Sequence, residues 1–291
     1  MKKFVFISVL ALCLGCCAYA QSRLENCTIE SRILGVTKDY IVYLPDGYDS
    51  SEIKEYPVLY LLHGSGGDYT TWTANYGMKQ IVDWRISSGF ALPMIIVMPD
   101  ASGDGPGHRG PHQGYFNYPD WKYEDFFISE FIPQVEKRFR ICSRRGSRAV
   151  AGLSMGGGGT TIFAMHYPEL FSSACPMSGR VEGVPKDKFN GDESMREYLE
   201  NIKNHDMVAF LRNASKEKQQ QIATVRWLID CGDSDYLFEG STHLYELMKS
   251  LDFPCAQFRV REGTHYKEYW RQSLPECLTF VSIGFAGRIF E

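Results

Sequence analysis

Eight short β-rich runs alternate with helical stretches along this chain, and that rhythm restricts the architectures open to it more than any other feature. The runs fall at 28–34, 39–44, 58–62, 94–98, 148–151, 172–177, 225–231 and 256–260. The stretches 78–88, 123–139, 155–167, 240–251 and 268–280 carry apolar residues at three- and four-residue spacing, the signature of a helix with one buried face. Such alternation folds into an α/β architecture, a mostly parallel sheet covered by helices on both faces. The first two runs are separated by a turn at Gly35-Val36 that is too short for a crossover, so the sheet is expected to begin with an antiparallel pair. A chain of 291 residues, 44% of them hydrophobic, can bury one large core of this kind as a single domain. Two segments break the rhythm: a Gly/Pro/His-rich loop at 101–114 and a polar insertion at 179–224. Both follow strands and so rise over the sheet ends where ligands bind in open α/β sheets. The insertion is either a cap that narrows a pocket or a solvated excursion, its charges including Lys186, Asp187, Lys188, Asp192 and Glu193.

The first twenty residues read differently. Lys2 and Lys3 precede an apolar run at 4–14, and Ala18-Tyr19-Ala20 follows as a small-x-small cleavage site. This is the pattern of a signal peptide, residues 1–20, which would leave 21–291 as a periplasmic or extracellular domain. The run is too short to span a bilayer comfortably, so no integral membrane segment is expected after its removal. Leu14-Gly15-Cys16 faintly resembles a lipoprotein site, but Cys13 stands where an aliphatic residue is wanted, making lipid anchoring the weaker reading. Beyond the leader six cysteines remain: Cys27, Cys142, Cys175, Cys231, Cys255 and Cys277. Their even number permits disulfides, while their wide spacing equally suits buried free thiols. None forms a C-x-x-C pair, which argues against a cysteine metal site. The formal charge of −4, without any basic cluster, makes nucleic acid an unsuitable partner.

Chemistry concentrates at Gly152-Leu153-Ser154-Met155-Gly156, a G-x-S-x-G pentad that links the run at 148–151 to an apolar-faced helix. This is the setting of a nucleophile elbow, in which a strained strand-to-helix turn lifts a serine hydroxyl clear of the sheet. Glycines two positions either side of the serine let strand and helix approach closely enough to make the turn. Amides at the start of the helix favour developing negative charge, so the Met155 N–H is expected to serve as one oxyanion donor. The second is assigned to the Ser65 N–H in Leu61-Leu62-His63-Gly64-Ser65-Gly66-Gly67, with Gly66 as a substitute. His63 lies at a strand end ahead of the serine and is read as shaping this loop.

In the α/β-hydrolase fold the chain order is serine, acid, histidine. Of the histidines beyond Ser154, His166 and His243 fall on helices and His205 in the insertion; His265 alone directly follows a strand. It is therefore the expected general base. The acid should end the preceding strand, where Asp230, Asp233 and Asp235 all stand. Asp230 falls within the run and reads as structural; pattern barely separates the other two. Aromatic residues gather at 115–123, and Tyr115, Tyr118 and Trp121 are candidates to stack on a planar acyl group or a sugar face. The alternative is that Trp121 and Tyr123 anchor the helix beginning there.

Together these motifs resemble carbohydrate esterase family 1, which includes feruloyl esterase domains attached to bacterial xylanases, acetyl xylan esterases, S-formylglutathione hydrolases and mycolyltransferases. The resemblance rests on Tyr43-Leu44-Pro45-Asp46-Gly47-Tyr48, on the loop at 60–67, on the elbow with Gly157 and Gly158, on Cys231-Gly232-Asp233-Ser234-Asp235, and on Gly263-Thr264-His265 ahead of Tyr269-Trp270. It implies an eight-stranded α/β-hydrolase fold, a Ser154, Asp235 and His265 triad, an oxyanion hole at Ser65 and Met155, and no metal or organic cofactor. Asp233 departs from the family pattern, which often has an uncharged residue there. The implied activity is hydrolysis of feruloyl esters on plant polysaccharides, with acetyl xylan esterase, acyl transfer to a sugar, and non-catalytic carbohydrate binding as alternatives. Feruloylated or acetylated polysaccharides and oligosaccharides are the implied partners.

Overall fold

A computed structural model describes residues 21–103, 114–183 and 205–287 of the chain. The expected signal peptide lies outside them, as do the middle of the 101–114 loop and residues 184–204 of the insertion. Eight strands, β1 (Arg23–Glu30), β2 (Thr37–Leu44), β3 (Val58–Leu62), β4 (Ile95–Pro99), β5 (Arg148–Leu153), β6 (Ser173–Met177), β7 (Arg226–Gly232) and β8 (Ala256–Arg261), form one sheet in the order β1-β2-β4-β3-β5-β6-β7-β8. The β1–β2 pair is antiparallel, as the short turn requires, and β2 also runs antiparallel to β4. All later neighbours are parallel. Every residue of β3, β4, β5 and β6 is buried, which explains why these strands read as unbroken apolar runs without alternation.

Successive side chains of the strands feed two cores. Val58, Tyr60, Leu62, Val97, Val150 and Trp227 face one side, joined there by Phe127, Phe131 and Phe163. Leu59, Leu61, Ile96, Ala149, Ala151 and Cys175 face the other, against Trp270, Leu274, Leu278 and Val281. The α-helices among the described residues are α1 (Thr71–Tyr76), α2 (Met78–Ser87), α3 (Tyr123–Phe126), α4 (Ile132–Arg138), α5 (Met155–His166), α6 (Met207–Asn213), α7 (Lys216–Ala223), α8 (Phe238–Ser250) and α9 (Lys267–Ala286). Two buried ion pairs stitch the strands to their surroundings. Arg148 on β5 grips Glu136 through two bonds, Nε to Oε1 at 2.6 Å and Nη2 to Oε2 at 2.8 Å. Lys38 on β2 donates to Asp100 at 2.8 Å.

The structure revises several expectations. β1 begins five residues earlier than the apolar pattern suggests and stops at Glu30, because Ser31 to Gly35 close a turn through a Gly35 N–H bond to the Ser31 carbonyl at 3.0 Å. The helix expected over 123–139 is interrupted by a wide π turn, Phe127–Phe131. Pro133 explains it: proline has no N–H for the carbonyl of Ser129, and its ring would collide with that group in a regular α turn. The described part of the 179–224 insertion is not merely solvated, since it holds α6 and α7, capped by the side chains of Asp206 and Ser215. Met207, Val208 and Leu211 of α6 are buried, and this helix packs against α5 and α8. The six cysteines beyond residue 20 are free thiols, five buried and Cys255 exposed. No helix among the described residues is long and apolar enough to cross a membrane.

Candidate active site

Ser154 sits at the junction of β5 and α5 with φ 54° and ψ −114°, a backbone conformation that side-chain-bearing residues seldom adopt. Its surroundings hold it there. The Ser154 N–H donates to the Met177 carbonyl at 2.9 Å, and its own carbonyl accepts from Gly158 at 3.0 Å and Arg180 at 3.2 Å. Close approach on both sides of the turn demands glycine. A Cβ on Gly152 would lie 2.5 Å from the Gly156 carbonyl oxygen, and one on Gly156 would lie 2.6 Å from the carbonyl oxygens of both Leu62 and His63. The elbow is therefore clamped against the end of β3.

That clamp brings the loop after β3 to the serine. Gly64 passes so near that a Cβ there would sit 2.5 Å from Leu153 Cδ1 and 3.5 Å from Ser154 Cβ. Ser65 follows it and lines the cleft above Ser154, while Met155 opens α5 immediately behind the nucleophile. The two residues expected to supply oxyanion donors thus flank the serine. His63 is buried beneath the loop: its Nε2 accepts from the Ala101 N–H at 2.9 Å, which leaves the ring proton on Nδ1, 2.8 Å from the Gly64 carbonyl. This histidine braces the loop and does not reach the cleft.

β7 and β8 deliver the other two groups. His265 Nε2 lies 2.8 Å from Ser154 Oγ, and His265 Nδ1 lies 3.0 and 2.9 Å from the two carboxylate oxygens of Asp235. Asp235 is buried and also accepts the Leu237 N–H at 2.9 Å. Burial pushes its carboxyl up, but the contacts with His265, Leu237 and Ser178 outweigh it and hold Asp235 below the ordinary carboxylate value. Asp233, the rival from sequence, points elsewhere. Its Oδ1 accepts the Gly263 N–H at 3.1 Å, while the Ser234 N–H donates to the Gly263 carbonyl at 3.0 Å, so Asp233 fastens the acid-bearing loop to the histidine-bearing one. Asp230 is buried and pairs with Arg261 at 2.9 Å and Ser273 at 2.8 Å, a structural role.

The cleft encloses about 520 Å³, within the range of small-molecule sites. Its walls include Thr70, Asn75, Tyr76, Arg180, Tyr236 and Trp270. The His265 ring is held between Tyr236, centroids 4.5 Å apart, and the Trp270 ring, which meets it edge to face at 4.8 Å. Tyr236 is 43% exposed. The aromatic candidates from sequence are placed otherwise. Tyr115, Tyr118 and Trp121 are 1%, 3% and 1% exposed and belong to the core, leaving no surface to offer a ligand. Tyr115 donates its hydroxyl to the His63 carbonyl at 3.0 Å and lies against Gly159 of α5, so it supports the elbow from below. The helix-anchoring alternative fits Trp121, whose carbonyl accepts the Tyr123 N–H at 3.0 Å where α3 begins. Tyr236 and Trp270 are what the sequence reading missed, and the available signal was their proximity to Asp235 and His265 along the chain. Among the described residues no group of three His, Cys, Asp or Glu side chains is placed to hold a metal ion.

Residues 31–281 match the esterase family model, described as "Putative esterase". A solved ferulic acid esterase superposes with a TM-score of 0.83 at 36% identity, covering 91% of this chain and 99% of that one. The endo-1,4-β-xylanase/feruloyl esterase of Xylanibacter ruminicola is 30% identical over 258 residues, 87% of this chain and 30% of that protein. Esterase Rv1288 of Mycobacterium tuberculosis is 35% identical over 164 residues, 54% of this chain and 32% of that protein. The chain therefore spans about a third of the length of these two curated relatives. With a family match over most of its length and a serine elbow of the expected geometry, the chain belongs to the esterase family of serine hydrolases.

Proposed function

We propose that this protein is an exported serine esterase that removes feruloyl groups from plant cell-wall polysaccharide. The observation that carries the mechanism is the unbroken chain of contacts Asp235–His265–Ser154, 2.9 and 2.8 Å long, ending in an open cleft. The Asp235 carboxylate fixes the His265 proton on Nδ1, leaving Nε2 to take the Ser154 proton as the hydroxyl attacks an ester carbonyl. The N–H groups of Met155 and Ser65 receive the oxyanion. His265 then protonates the leaving alcohol, and water, deprotonated by the same nitrogen, releases the acid from the acyl-enzyme. Support for an aromatic acyl group comes from Tyr76, Tyr236 and Trp270 on the cleft wall and from the ferulic acid esterases among its relatives. Support for export comes from the leader pattern in residues 1–20.

The test is a comparison of methyl ferulate, feruloylated arabinoxylan and acetylated xylan as substrates, each with and without an added sugar acceptor. Free ferulic acid is the expected product, abolished by Ser154→Ala. Turnover of acetylated xylan alone would eliminate the feruloyl reading, and an excess of acyl sugar over free acid would make the protein a transferase.

A further inference from the structure

Tyr236 stands between two buried residues, Asp235 and Leu237, and is itself 43% exposed. The backbone on either side of it is fixed. The Asp235 N–H donates to the Gly232 carbonyl at 3.1 Å, the Leu237 N–H to Asp235 Oδ1 at 2.9 Å and the Phe238 N–H to the Asp235 carbonyl at 3.0 Å. From this turn the ring lines the cleft, where its hydroxyl meets Arg180 Nη2 at 3.4 Å and its centroid lies 4.5 Å from that of His265. A ring left half exposed in a cleft contributes little to the core and keeps surface for a ligand.

The reaction decides which part of an ester that surface meets. Once Ser154 Oγ has added, the carbonyl carbon carries three further groups: the oxyanion facing the Met155 and Ser65 N–H groups, the oxygen of the leaving alcohol, and the acyl chain. Of these, the leaving oxygen is the one that must come to the base. His265 Nε2, which lies 2.8 Å from Ser154 Oγ, can protonate it only at hydrogen-bond distance, about 3 Å. The first ring of the alcohol therefore lies alongside the imidazole, within reach of the groups that flank it. Trp270 meets the imidazole edge to face, is 7% exposed and gives its indole N–H to Ser178 Oγ at 3.0 Å. Tyr236 is the flanking ring with surface to offer. We infer that Tyr236 is the platform for the sugar whose hydroxyl is esterified, and so a specificity-determining residue on the alcohol side of the cleft. A sugar ring has an apolar C–H face bordered by hydroxyls, and tyrosine matches it with an apolar body and a polar tip. Because Tyr236 directly follows the triad acid, the same turn that sets Asp235 against His265 also sets the platform.

This inference deepens the proposed esterase reading and rests on it, so its test includes a measurement that needs no turnover. The kinetic arm compares two esters with one acyl group and different alcohols, methyl ferulate and a feruloylated arabinoxylo-oligosaccharide. The quantity read is the ratio of their kcat/KM values on a single preparation, which cancels any loss of folded protein. In Tyr236→Ala the preference for the oligosaccharide is expected to fall about tenfold, chiefly through its KM. Tyr236→Phe restores the ring without the hydroxyl and should bring the ratio back to within about threefold of wild type. Tyr266→Ala, which removes an exposed tyrosine next to His265 in the chain but outside the cleft lining, should leave the ratio as it is. An unchanged ratio in Tyr236→Ala overturns the platform. So do equal losses on both esters, which would make Tyr236 a support for His265 or a contact of the acyl group. The binding arm titrates the de-esterified oligosaccharide into Ser154→Ala by calorimetry. Its affinity should drop about tenfold when Tyr236→Ala is added. Equal affinity in the two proteins, or no binding to either, overturns the platform whether or not the wild-type protein hydrolyses esters. Failure of the wild type to hydrolyse either ester, with oligosaccharide binding that depends on Tyr236, would instead count against the esterase reading and leave the platform standing.

Discussion

Replacing Asp235 with Asn tests the site at its most informative point, because the change is isosteric and reverses one hydrogen bond. In the wild type the carboxylate accepts from both His265 Nδ1 and the Leu237 N–H. An amide at 235 keeps its oxygen for Leu237 and turns its NH2 towards the imidazole. Nδ1 must then accept, which moves the ring proton to Nε2, the atom 2.8 Å from Ser154 Oγ. A protonated Nε2 cannot take the serine proton, and the imidazolium formed during attack loses its counter-charge. Loss of both should lower kcat about 10⁴-fold, equivalent to roughly 5.5 kcal/mol of transition-state stabilisation, with KM changed far less. The assay is steady-state hydrolysis of methyl ferulate at neutral pH, with Asp233→Asn as the matched control. An Asn at 233 retains an oxygen to accept the Gly263 N–H and should keep activity within about threefold of wild type. A loss of less than tenfold in Asp235→Asn, or a comparable loss in Asp233→Asn, would refute the assignment of the acid.

Other consequences are equally measurable. Gly156→Ala would force a Cβ to within 2.6 Å of two backbone carbonyl oxygens and should cost about 1–3 kcal/mol, seen as a fall of several degrees in Tm. Gly66→Ala, at φ 77° with nothing within 4 Å, should cost only about 1 kcal/mol for its backbone conformation. Trp121→Ala should remove about 3–5 kcal/mol of stability while the folded fraction retains its KM for methyl ferulate; a raised KM in a fully stable variant would return Trp121 to the substrate site. Lys38→Met leaves Asp100 buried without its cation and should cost about 3–5 kcal/mol by thermal or urea unfolding. Burial pushes the Asp100 carboxyl up, but the Lys38 ammonium and the Ser102 hydroxyl prevail and hold it well below the ordinary carboxylate range. Because the folded value is depressed, this stability should be present above about pH 4 and lost as pH falls further, and the wild-type acid unfolding curve should flatten in Lys38→Met.

The sheet was legible in the sequence because its central strands are buried on both faces, so Val58 to Leu62 and Ile95 to Pro99 appear as unbroken apolar runs. Ser154 and His265 were legible because their positions follow from strand ends and chain order, which are local properties. Asp233 and Asp235 could not be separated by pattern. They stand two residues apart in one turn, and only the path of the His265 loop decides which carboxylate meets the imidazole. The aromatic cluster at 115–121 misled for a related reason: hydroxyl- and indole-bearing rings suit a binding surface and a hydrogen-bonded core equally well. Tyr115 turned out to spend its hydroxyl on the His63 carbonyl.

The four consecutive glycines that open α5 carry a consequence for how such a protein can change. A Cβ on Gly156 would strike the end of β3, on Gly157 the backbone of Gly179, on Gly158 the carbonyl of Arg180, and on Gly159 the ring of Tyr115. One turn of helix thus serves as the hub on which three separate chain segments, the end of β3, Gly179-Arg180 and Tyr115, rest at contact distance. Substitution at these glycines would disturb the elbow itself, whereas Asn75 and Tyr236 line the cleft as exposed side chains and can be exchanged without touching the hub.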